Sequence, residues 1–443
     1  MRLPPARRMA LEILRRTLDN HQDLQSAAND VLALCADGPD KGLATELAYG
    51  YLRLRGRIDF LLNQLFKRPA QTSPVVRRIV GLAAYELIFL DRIPEYASLD
   101  WAVSLVRARC DQTMGRVANG VLRNLLRLGR AVTQPDYYRY KTHDQVQFWS
   151  AWYSCPRWLV SLWLKHYGHD RARQFLEASI RAPHIGLRIH AGRPKAQAVL
   201  AELEPLTLER AGWGLAVREW SELADQAVRQ GLASRQSLAA QKIMDALGVS
   251  RWPEPIWDAC AGRGGKTLLM AEQGKQVWAS DVSLFRLRQI QAEAQRLGCA
   301  VPVFLAQAQG LAPLRSAPRT IVLDVPCSGL GVLSRRPDTK WKRTAADCAQ
   351  LAGLQKQILE TAASVLPAGG ALVYITCTMT RQENEDQIAS FVQAYPQFRL
   401  LREIQPSLHE EDGEFFYGAI LHKTTSPGST LAGTIAHFRE DNV

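Results

Sequence analysis

Residues 236–424 alternate short apolar runs with longer amphipathic segments, and this alternation constrains the fold more than any other feature of the sequence. The pattern predicts strands at 256–257, 276–280, 301–305, 320–323 and 371–375, with helices at 266–272, 284–297 and 345–365. Such alternation is typical of an α/β fold with a doubly wound, mostly parallel, Rossmann-like sheet. Ligands of these sheets bind beyond the carboxyl ends of the strands. The polar residues that follow the strands are therefore the candidate site residues.

A glycine-rich loop follows the first of these strands, and an acidic residue, Asp281, ends the second. The loop lacks the spacing of a Walker phosphate loop, because the six positions before its Lys-Thr pair begin with Cys260 rather than glycine. A glycine turn lets the backbone approach a nucleoside closely, and a carboxylate can accept hydrogen bonds from both ribose hydroxyls. Loop and acid together indicate a dinucleotide or S-adenosylmethionine. A glycine turn with a capping aspartate is the purely structural alternative.

Two cysteines follow two further strands, Cys327 in Asp324-Val325-Pro326-Cys327 and Cys377 in Thr376-Cys377-Thr378. A thiol can add covalently to an electron-poor carbon, and addition at C6 of cytosine makes C5 nucleophilic enough to take a methyl group. A second group must then help to remove the C5 proton and to release the thiol. One cofactor site, one acid and two thiols therefore match cytosine C5 methylation. Free cysteines are also common as small buried hydrophobic residues, and the pattern does not decide which thiol attacks.

Residues 1–130 predict an all-α bundle of five to seven helices, because apolar residues recur at helical spacing between proline and glycine breakers. Of the net charge of +12, this region holds 20 Lys/Arg against 13 Asp/Glu. An excess of this kind indicates a polyanionic partner such as RNA, although a solvated surface also produces it. The arginines expected on the basic face of the bundle are Arg53, Arg55, Arg57, Arg77 and Arg78.

Residues 131–235 are less regular and predict a small α+β region that connects the bundle to the sheet domain. Within it, 186–190 alternates as a strand does, and an amphipathic helix is expected after Cys155-Pro156. Residues 425–443 are expected to form a C-terminal tail.

Composition narrows the class of protein further. The sequence has no apolar stretch near the roughly 20 residues that cross a bilayer, and its basic start is not followed by the apolar core of a signal peptide. The eight cysteines are scattered without a Cys-x-x-Cys pair, which speaks against a zinc ribbon and a disulfide framework. We therefore expect a cytoplasmic protein, a monomer, with no metal and no membrane association.

These motifs resemble those of the bacterial 16S rRNA (cytosine-5)-methyltransferases of the Fmu/Sun type. The resemblance covers nearly the whole chain and is carried by 324–329, by 336–341, and by Thr376-Cys377-Thr378 with Glu383-Asn384 after it. Residues 1–130 resemble the NusB-like RNA-binding domain of that family, through 46–53, 92–94 and 119–123. The resemblance implies a methyltransferase domain at 236–424 and an RNA substrate, 16S rRNA.

The resemblance also implies a role for each site residue. Cys377 would be the nucleophile that adds to C6, Cys327 would assist release of the methylated base, and Asp324 would hold the cytosine edge near the cofactor. The implied residues of the S-adenosylmethionine site are Cys260, Ala261, Gly262, Arg263, Gly264, Gly265, Lys266, Asp281, Arg286, Gln309 and Asp324.

Several positions depart from the family pattern, among them Gln236-Ser237 in place of a Gln-Asp pair and Thr378 in place of a serine, and two departures concern the cofactor site. Gly262-Arg263 stands where the family usually has Ala-Pro, and Gln309 stands where an aspartate usually follows the third strand. We expect altered cofactor affinity from them. They are the only support for a non-catalytic alternative, an RNA-binding ribosome assembly factor. Methylation of another RNA, such as tRNA, is a further alternative, and the N-terminal bundle weighs against it.

Overall fold

The computed structural model describes residues 3–35, 38–310, 312–405 and 413–425, and these residues form two compact units. One unit comprises Met1–Ala182 with Leu333–Thr344, and the other comprises Pro183–Val332 with Ala345–Val443. The division falls inside the predicted connecting region 131–235, because its first part is helical and packs with the bundle. Residues 426–443 of the expected tail lie outside the described residues.

The first unit is helical, as the sequence predicted, and six of its helices lie within residues 5–130. Side chains at the N-caps explain several of the helix starts, since Asp23, Ser73 and Asp111 accept hydrogen bonds from backbone amides three residues on. The last helix is interrupted at Gly168, where φ is +74°. The helices are α1 Pro5–Leu18, α2 Leu24–Leu32, α3 Pro39–Leu65, α4 Pro74–Phe89, α5 Glu95–Arg109, α6 Gln112–Leu128, α7 Pro135–Tyr140, α8 Gln145–Trp152 and α9 Arg157–Ser179.

The second unit begins with a small antiparallel sheet of strand order β2-β3-β1-β4. The strand predicted at 186–190 is the first of these strands. Helices α10 and α11 pack on an apolar core that includes Leu187, Leu200 and Leu215. The elements are β1 Ile185–Ile189, α10 Ala196–Leu203, β2 Thr207–Ala211, β3 Gly214–Val217, α11 Glu222–Arg229 and β4 Ala233–Arg235.

The larger sheet of the second unit has seven strands in the order β10-β11-β9-β8-β5-β6-β7. Five strands, from β9 to β7 in that order, are parallel, which confirms the doubly wound prediction. The antiparallel pair β10 and β11 closes one edge and was not predicted. The elements are α12 Leu238–Ala246, β5 Ile256–Asp258, α13 Gly265–Glu272, β6 Val277–Asp281, α14 Leu284–Leu297, β7 Val303–Leu305, β8 Thr320–Asp324, α15 Thr339–Lys342, α16 Ala345–Val365, β9 Ala371–Thr376, α17 Glu385–Ala394, β10 Phe398–Ile404 and β11 Tyr417–Lys423.

Helices cover both faces of this sheet, which explains why its central strands are continuously apolar. Along β9, Leu372 and Tyr374 belong to the core on one face, and Val373 and Ile375 belong to the core on the other. A strand buried on both faces is held in one register, because a slip by one residue exchanges its two faces. The carboxyl ends of the strands are thereby fixed relative to one another.

The segment Leu333–Thr344, which includes α15, packs within the helical unit. The ammonium of buried Lys340 donates a hydrogen bond to the carbonyl oxygen of Arg53 at 2.9 Å, and the Trp341 indole donates to that of Leu52 at 2.7 Å. The Arg53 guanidinium in turn donates to the carbonyl oxygen of Ser334 at 3.0 Å. The sequence pattern placed this segment in the domain 236–424 because its neighbours along the chain belong to the sheet.

Among the described residues, no helix is both long and apolar enough to cross a membrane. The same part of the chain contains no group of three or more His, Cys, Asp or Glu side chains that could hold a metal ion.

Candidate active site

The two predicted thiols meet at the carboxyl ends of β8 and β9. The parallel register pairs Asp324, the last residue of β8, with Ile375, so the segments that follow these neighbouring strands start side by side. The sulfur atoms of Cys327 and Cys377 lie 3.3 Å apart. The sequence prediction that two strand-end motifs form one thiol pair is therefore in agreement with the geometry.

The surroundings of Cys327 favour its protonated form. The hydrogen bond with Cys377 and burial both raise the pKa of the Cys327 thiol well above its ordinary value. Cys327 is therefore a neutral thiol near neutral pH, able to donate its proton toward the sulfur of Cys377.

A buried lysine pairs with the acid of the first thiol motif. Lys266, in the first turn of α13, places its ammonium 2.7 Å from the Asp324 carboxylate. Burial opposes the charge, but Asp324 raises the pKa of Lys266, and Cys377 adds to the same effect. Lys266 was predicted as a cofactor residue, whereas the structure places its charge at Asp324 and within electrostatic reach of Cys377. A fixed cation there favours a thiolate at Cys377.

The carboxylate of Glu383 connects the two thiol segments. In the sequence, Glu383 belonged to a motif of the family but had no role assigned to it. Glu383 is fully buried and accepts hydrogen bonds from the backbone amide of Ser328 at 2.8 Å and from its hydroxyl at 2.6 Å. It also accepts from the Thr380 hydroxyl at 2.9 Å and the Gln355 amide at 3.0 Å. Because Ser328 directly follows Cys327, Glu383 ties the first thiol segment to the residues after the second.

Asn384 fixes the backbone on both sides of Cys377. Its side-chain oxygen accepts from the Thr376 hydroxyl at 2.6 Å, and its amide donates to the carbonyl oxygen of Thr378 at 2.9 Å. The carbonyl oxygen of Cys377 itself accepts from the amide of Gly331 at 2.9 Å. A Cβ at position 331 would lie 2.9 Å from that oxygen, so glycine is required for this approach.

The glycine loop and the acid after β6 form one cradle. The Asp281 carboxylate is buried and accepts from the backbone amides of Gly262 at 3.0 Å and Ser283 at 2.8 Å, while Arg286 lies 3.6 Å away. Gly264 has φ of +82° and lies so close to Ile290 that a Cβ would come within 2.8 Å of it. The cradle thus depends on glycine geometry and presents a carboxylate beside it.

Asp258, at the end of β5, belongs to this cradle and was missed from the sequence. One of its carboxylate oxygens accepts from the Thr267 hydroxyl at 2.6 Å, and the other is buried and, among the described residues, has no hydrogen-bond partner. Burial raises the pKa of Asp258 to about 7. Burial and three carboxylates, those of Asp258, Asp324 and Asp281, raise the pKa of the Cys260 thiol well above its ordinary value. This cluster of acids, one with an unused oxygen, fits a cationic cofactor such as S-adenosylmethionine.

The remaining predicted cofactor residues differ in position. Ala261 is buried, and Gly265 begins α13. Arg263 is exposed, and so is Gln309, whose backbone carbonyl accepts from the Thr361 hydroxyl at 3.0 Å. Neither departure from the family pattern therefore occupies the interior of the cradle.

Arg188 supports the cradle from the small sheet and was also missed. Its guanidinium donates to the carbonyl oxygen of Gly265 at 3.1 Å and to the carboxylate of Glu272 at 2.7 Å, with both charged side chains buried. It also donates to the side-chain oxygen of Gln236. A residue 77 positions before Gly265 and 84 before Glu272 thus holds both ends of α13, which no local pattern reveals.

Two arginines expected on the RNA-docking face are buried instead, and that prediction was wrong for them. Arg57 donates to the carbonyl oxygen of Trp152 at 2.6 Å and lies 3.8 Å from the centre of the indole ring. Arg53 is buried, and its guanidinium donates the hydrogen bond to Ser334 described above. The stem of an arginine can pack on apolar surface and its guanidinium can lie over an aromatic ring, so an arginine on a helix need not face water.

Arg55, Arg77 and Arg78, expected on the same face, lie around a cavity of about 370 Å³. Asp59 pairs with Arg55 and Arg77 at 3.3 and 3.2 Å, and Asp19 pairs with Arg78 at 2.5 Å. Two aspartates therefore offset part of the charge of these three arginines.

A mostly parallel α/β sheet with a glycine cradle and an acid at the next strand end defines a Rossmann-like methyltransferase domain, here accompanied by an all-α domain. Comparison with known families assigns both parts. Residues 250–424 match the family described as 16S rRNA methyltransferase RsmB/F, and residues 4–127 match the NusB family. The chain belongs to the RsmB/F family of 16S rRNA methyltransferases. It is an S-adenosylmethionine-dependent RNA methyltransferase.

Curated relatives agree over most of the chain. A protein of Synechocystis named as a probable ribosomal RNA small subunit methyltransferase B is 34% identical over 82% of either chain. The protein of that name from Bacillus subtilis is 31% identical over 81% of either chain. A ribosomal RNA small subunit methyltransferase B of Yersinia pestis is 30% identical over 94% of this chain and 98% of its own.

Solved structures share the fold at lower identity. The crystal structure of PH0851 is similar with a TM-score of 0.75 and 20% identity, over 96% of this chain and 100% of its own. NSun6 from Pyrococcus horikoshii, solved with the ligand SFG, has a TM-score of 0.53 and 20% identity, over 61% of this chain and 99% of its own.

Proposed function

We propose that this protein methylates C5 of a cytosine in 16S rRNA, with Cys377 as the covalent nucleophile. The observation that carries the proposal is the 3.3 Å separation of Cys377 from the neutral thiol of Cys327, beside the Lys266–Asp324 pair. A nucleophile, a proton-carrying partner and a fixed ion pair at one strand-end site are the groups that this chemistry needs.

The reaction begins at Cys377. Its thiolate, supported by the Lys266 charge, adds to C6 of the cytosine, and electron density moves to C5. The carboxylate of Asp324 accepts a hydrogen bond from the exocyclic amine of the base and so fixes its orientation. When bound, S-adenosylmethionine would supply an electrophilic methyl group to C5, and S-adenosylhomocysteine would be the leaving group.

Release of the product requires loss of the C5 proton and cleavage of the C6–sulfur bond. As the C6–sulfur bond breaks, Cys327 gives its proton to the departing sulfur of Cys377, which lies 3.3 Å away. The Cys327 thiolate formed in this way takes the C5 proton, and the electrons of the broken C5–H bond restore the ring double bond. We assign the proton transfer to Cys327, because its hydrogen bond with Cys377 and its burial favour the protonated thiol, and the attack to Cys377, as the resemblance to the family implies.

The residues around the glycine cradle would hold the cofactor. Asp281 would accept hydrogen bonds from the ribose hydroxyls, and the backbone from Cys260 to Lys266 would approach the methionine part. The partly unpaired carboxylate of Asp258 would accept a hydrogen bond from the ammonium group. These assignments rest on the cluster of acids described above and on the family of the chain.

The RNA substrate follows from the names of the relatives, which are ribosomal RNA small subunit methyltransferases. A paired base must leave its helix before C6 becomes accessible to a thiol. We assign the reaction to a monomer, because one chain supplies both thiols, the acids and the cradle. We also propose that the reaction takes place in the cytoplasm.

The test is methyl transfer from labelled S-adenosylmethionine to separate samples of 16S rRNA, 23S rRNA and tRNA, followed by bisulfite sequencing. We expect one methylated cytosine in 16S rRNA. Methylation of tRNA alone would support the tRNA alternative. Binding of 16S rRNA without methylation of any RNA would support the assembly factor.

A further inference from the structure

A run of positive charge lies at the end of α5 and along α6. Residues 107–130 contain six arginines, one aspartate, no lysine and no glutamate, and so contribute +5 to the net charge of +12. The six arginines are Arg107, Arg109, Arg116, Arg123, Arg127 and Arg130. We call them the α6 arginine strip.

All six side chains are exposed, and none of them has a carboxylate partner within the described part of the chain. Other arginines of the same unit are neutralised, as Arg15 is by Glu12 at 2.8 Å and Arg55 by Asp59 at 3.3 Å. Like charges without counter-charges repel each other and destabilise the folded state. A contribution to stability therefore does not explain why this strip is present.

Helix geometry aligns three members of the strip. Arg116, Arg123 and Arg127 are separated by seven and four residues, which places them on one side of α6 over roughly 16 Å. Arg123 donates to the Asn119 amide oxygen at 3.2 Å, and Arg127 donates to that of Asn124 at 2.9 Å. These neutral partners orient the guanidinium groups without cancelling their charge.

We propose that the α6 arginine strip binds the phosphate backbone of the RNA substrate. This assignment rests on the proposed function in so far as the substrate is RNA. Guanidinium groups bind phosphate in a bidentate manner, and a row of them releases counterions when it contacts a polyanion. The apolar side of α6, which includes Ala118, Leu122 and Leu125, is buried in the helical unit. It is therefore not available for insertion into a lipid surface, which favours RNA over a membrane.

The test compares the salt dependence of 16S rRNA binding for the full-length protein and a triple variant, Arg116→Gln, Arg123→Gln and Arg127→Gln. Each lost phosphate contact reduces the slope of log K against log salt by about 0.7–0.9. We expect the slope to fall by about 2–3, with at least a tenfold loss of affinity at low salt. Substitution of the same three residues by lysine retains the charge, and we expect it to retain most of the slope.

A matched control replaces three arginines that already have carboxylate partners, Arg15, Arg16 and Arg173, by glutamine. We expect its slope to stay within about one unit of that of the wild type. If the triple variant fails to fold, as judged by circular dichroism, Arg123→Gln alone replaces it, with an expected decrease of about one unit.

Unchanged slope and affinity in the strip variant would overturn the proposal. So would loss of binding to phosphatidylglycerol vesicles with RNA binding intact. The outcome is separable from that of the proposed function. If the wild type binds RNA through the strip but transfers no methyl group, only the proposed function is contradicted. If the wild type methylates 16S rRNA and the strip variant binds RNA with wild-type affinity and salt dependence, only the present inference is contradicted.

Discussion

Glu383 accepts two hydrogen bonds from Ser328, one from its backbone amide at 2.8 Å and one from its hydroxyl at 2.6 Å. The hydroxyl of Ser328 also lies 2.5 Å from that of Thr378. Ser328 follows Cys327 and Thr378 follows Cys377, so this contact links the two segments that carry the thiols. The separation of the sulfur atoms therefore depends on a carboxylate that touches neither of them.

Both carboxylate oxygens of Glu383 accept hydrogen bonds, whereas glutamine has one oxygen and one NH₂ group at these positions. The NH₂ group cannot accept, so Glu383→Gln leaves at least one donor unsatisfied. We expect stability to fall by about 2–3 kcal/mol, because buried unsatisfied donors are costly. We also expect kcat to fall on the order of 100-fold with little change in cofactor affinity, because small misplacements of reacting groups have large effects. Steady-state kinetics and calorimetry measure these changes.

A direct readout of this positioning is disulfide formation with oxidised glutathione, in which the two thiols form one disulfide and two glutathione thiols are released. Mass spectrometry of the linked peptides would give a weaker tendency to pair in Glu383→Gln than in the wild type. Glu360→Gln, on α16, is the control, since Glu360 is partly exposed and lies 3.9 Å from Lys356. Equal pairing in all three proteins would mean that Glu383 does not set the thiol geometry.

Asp258 predicts a specific dependence of stability on pH. Burial raises its pKa from 3.8 to about 7 in the folded protein, so the folded state holds a proton that the unfolded state has lost between these values. The free energy of unfolding should therefore decrease as pH rises from about 4 to about 7 and level off above that range. In Asp258→Asn this decrease should be smaller.

Urea unfolding at pH 5 and pH 8 measures the difference for both proteins without cofactor. Asp386→Asn, an exposed acid next to Arg381, is the control and should keep the wild-type dependence. An Asp258→Asn variant with the full wild-type dependence would show that another group causes it.

Arg57 should act on stability rather than on RNA binding, because its guanidinium is buried against Trp152. We expect Arg57→Ala to destabilise the protein by about 3 kcal/mol, through lost packing and an unsatisfied carbonyl group. Arg68→Ala, an exposed arginine of the same unit, should change stability by less than about 0.5 kcal/mol. Thermal unfolding distinguishes the two variants. A larger effect of Arg57→Ala on RNA affinity than on stability would mean that Arg57 contributes to RNA binding after all.

The sequence predicted the central elements well because their local patterns and their tertiary roles agree. The helices at 284–297 and 345–365 coincide with α14 and α16, and the strand-end motifs led to the thiol pair and to Asp281. The edge pair β10 and β11 escaped prediction because antiparallel strands that complete a sheet carry no motif of their own. Burial of apolar runs on both faces is a strong local signal, whereas edge position is not.

What the sequence could not reveal depends on partners far apart in the chain. Arg55 and Arg57 lie two residues apart in the same helix, and only the fold places Trp152 against Arg57. Arg188 reaches Glu272, 84 residues away. Lys340 lies inside the range that the sequence assigned to the sheet domain, yet its ammonium donates a hydrogen bond to the carbonyl oxygen of Arg53. Single-sequence periodicity contains no information on such pairs.

The central claim is that Cys377 attacks the base and Cys327 assists its release. The most direct measurement is the yield of a denaturant-stable protein–RNA complex, with the linked peptide identified by mass spectrometry, after incubation of each cysteine-to-alanine variant with 16S rRNA and S-adenosylmethionine. We expect Cys327→Ala to accumulate a complex linked through Cys377. For Cys377→Ala we expect no complex and at least a thousandfold loss of methyl transfer, a loss typical of a missing nucleophile. A complex formed by Cys377→Ala through Cys327, or full activity of that variant, would contradict the assignment.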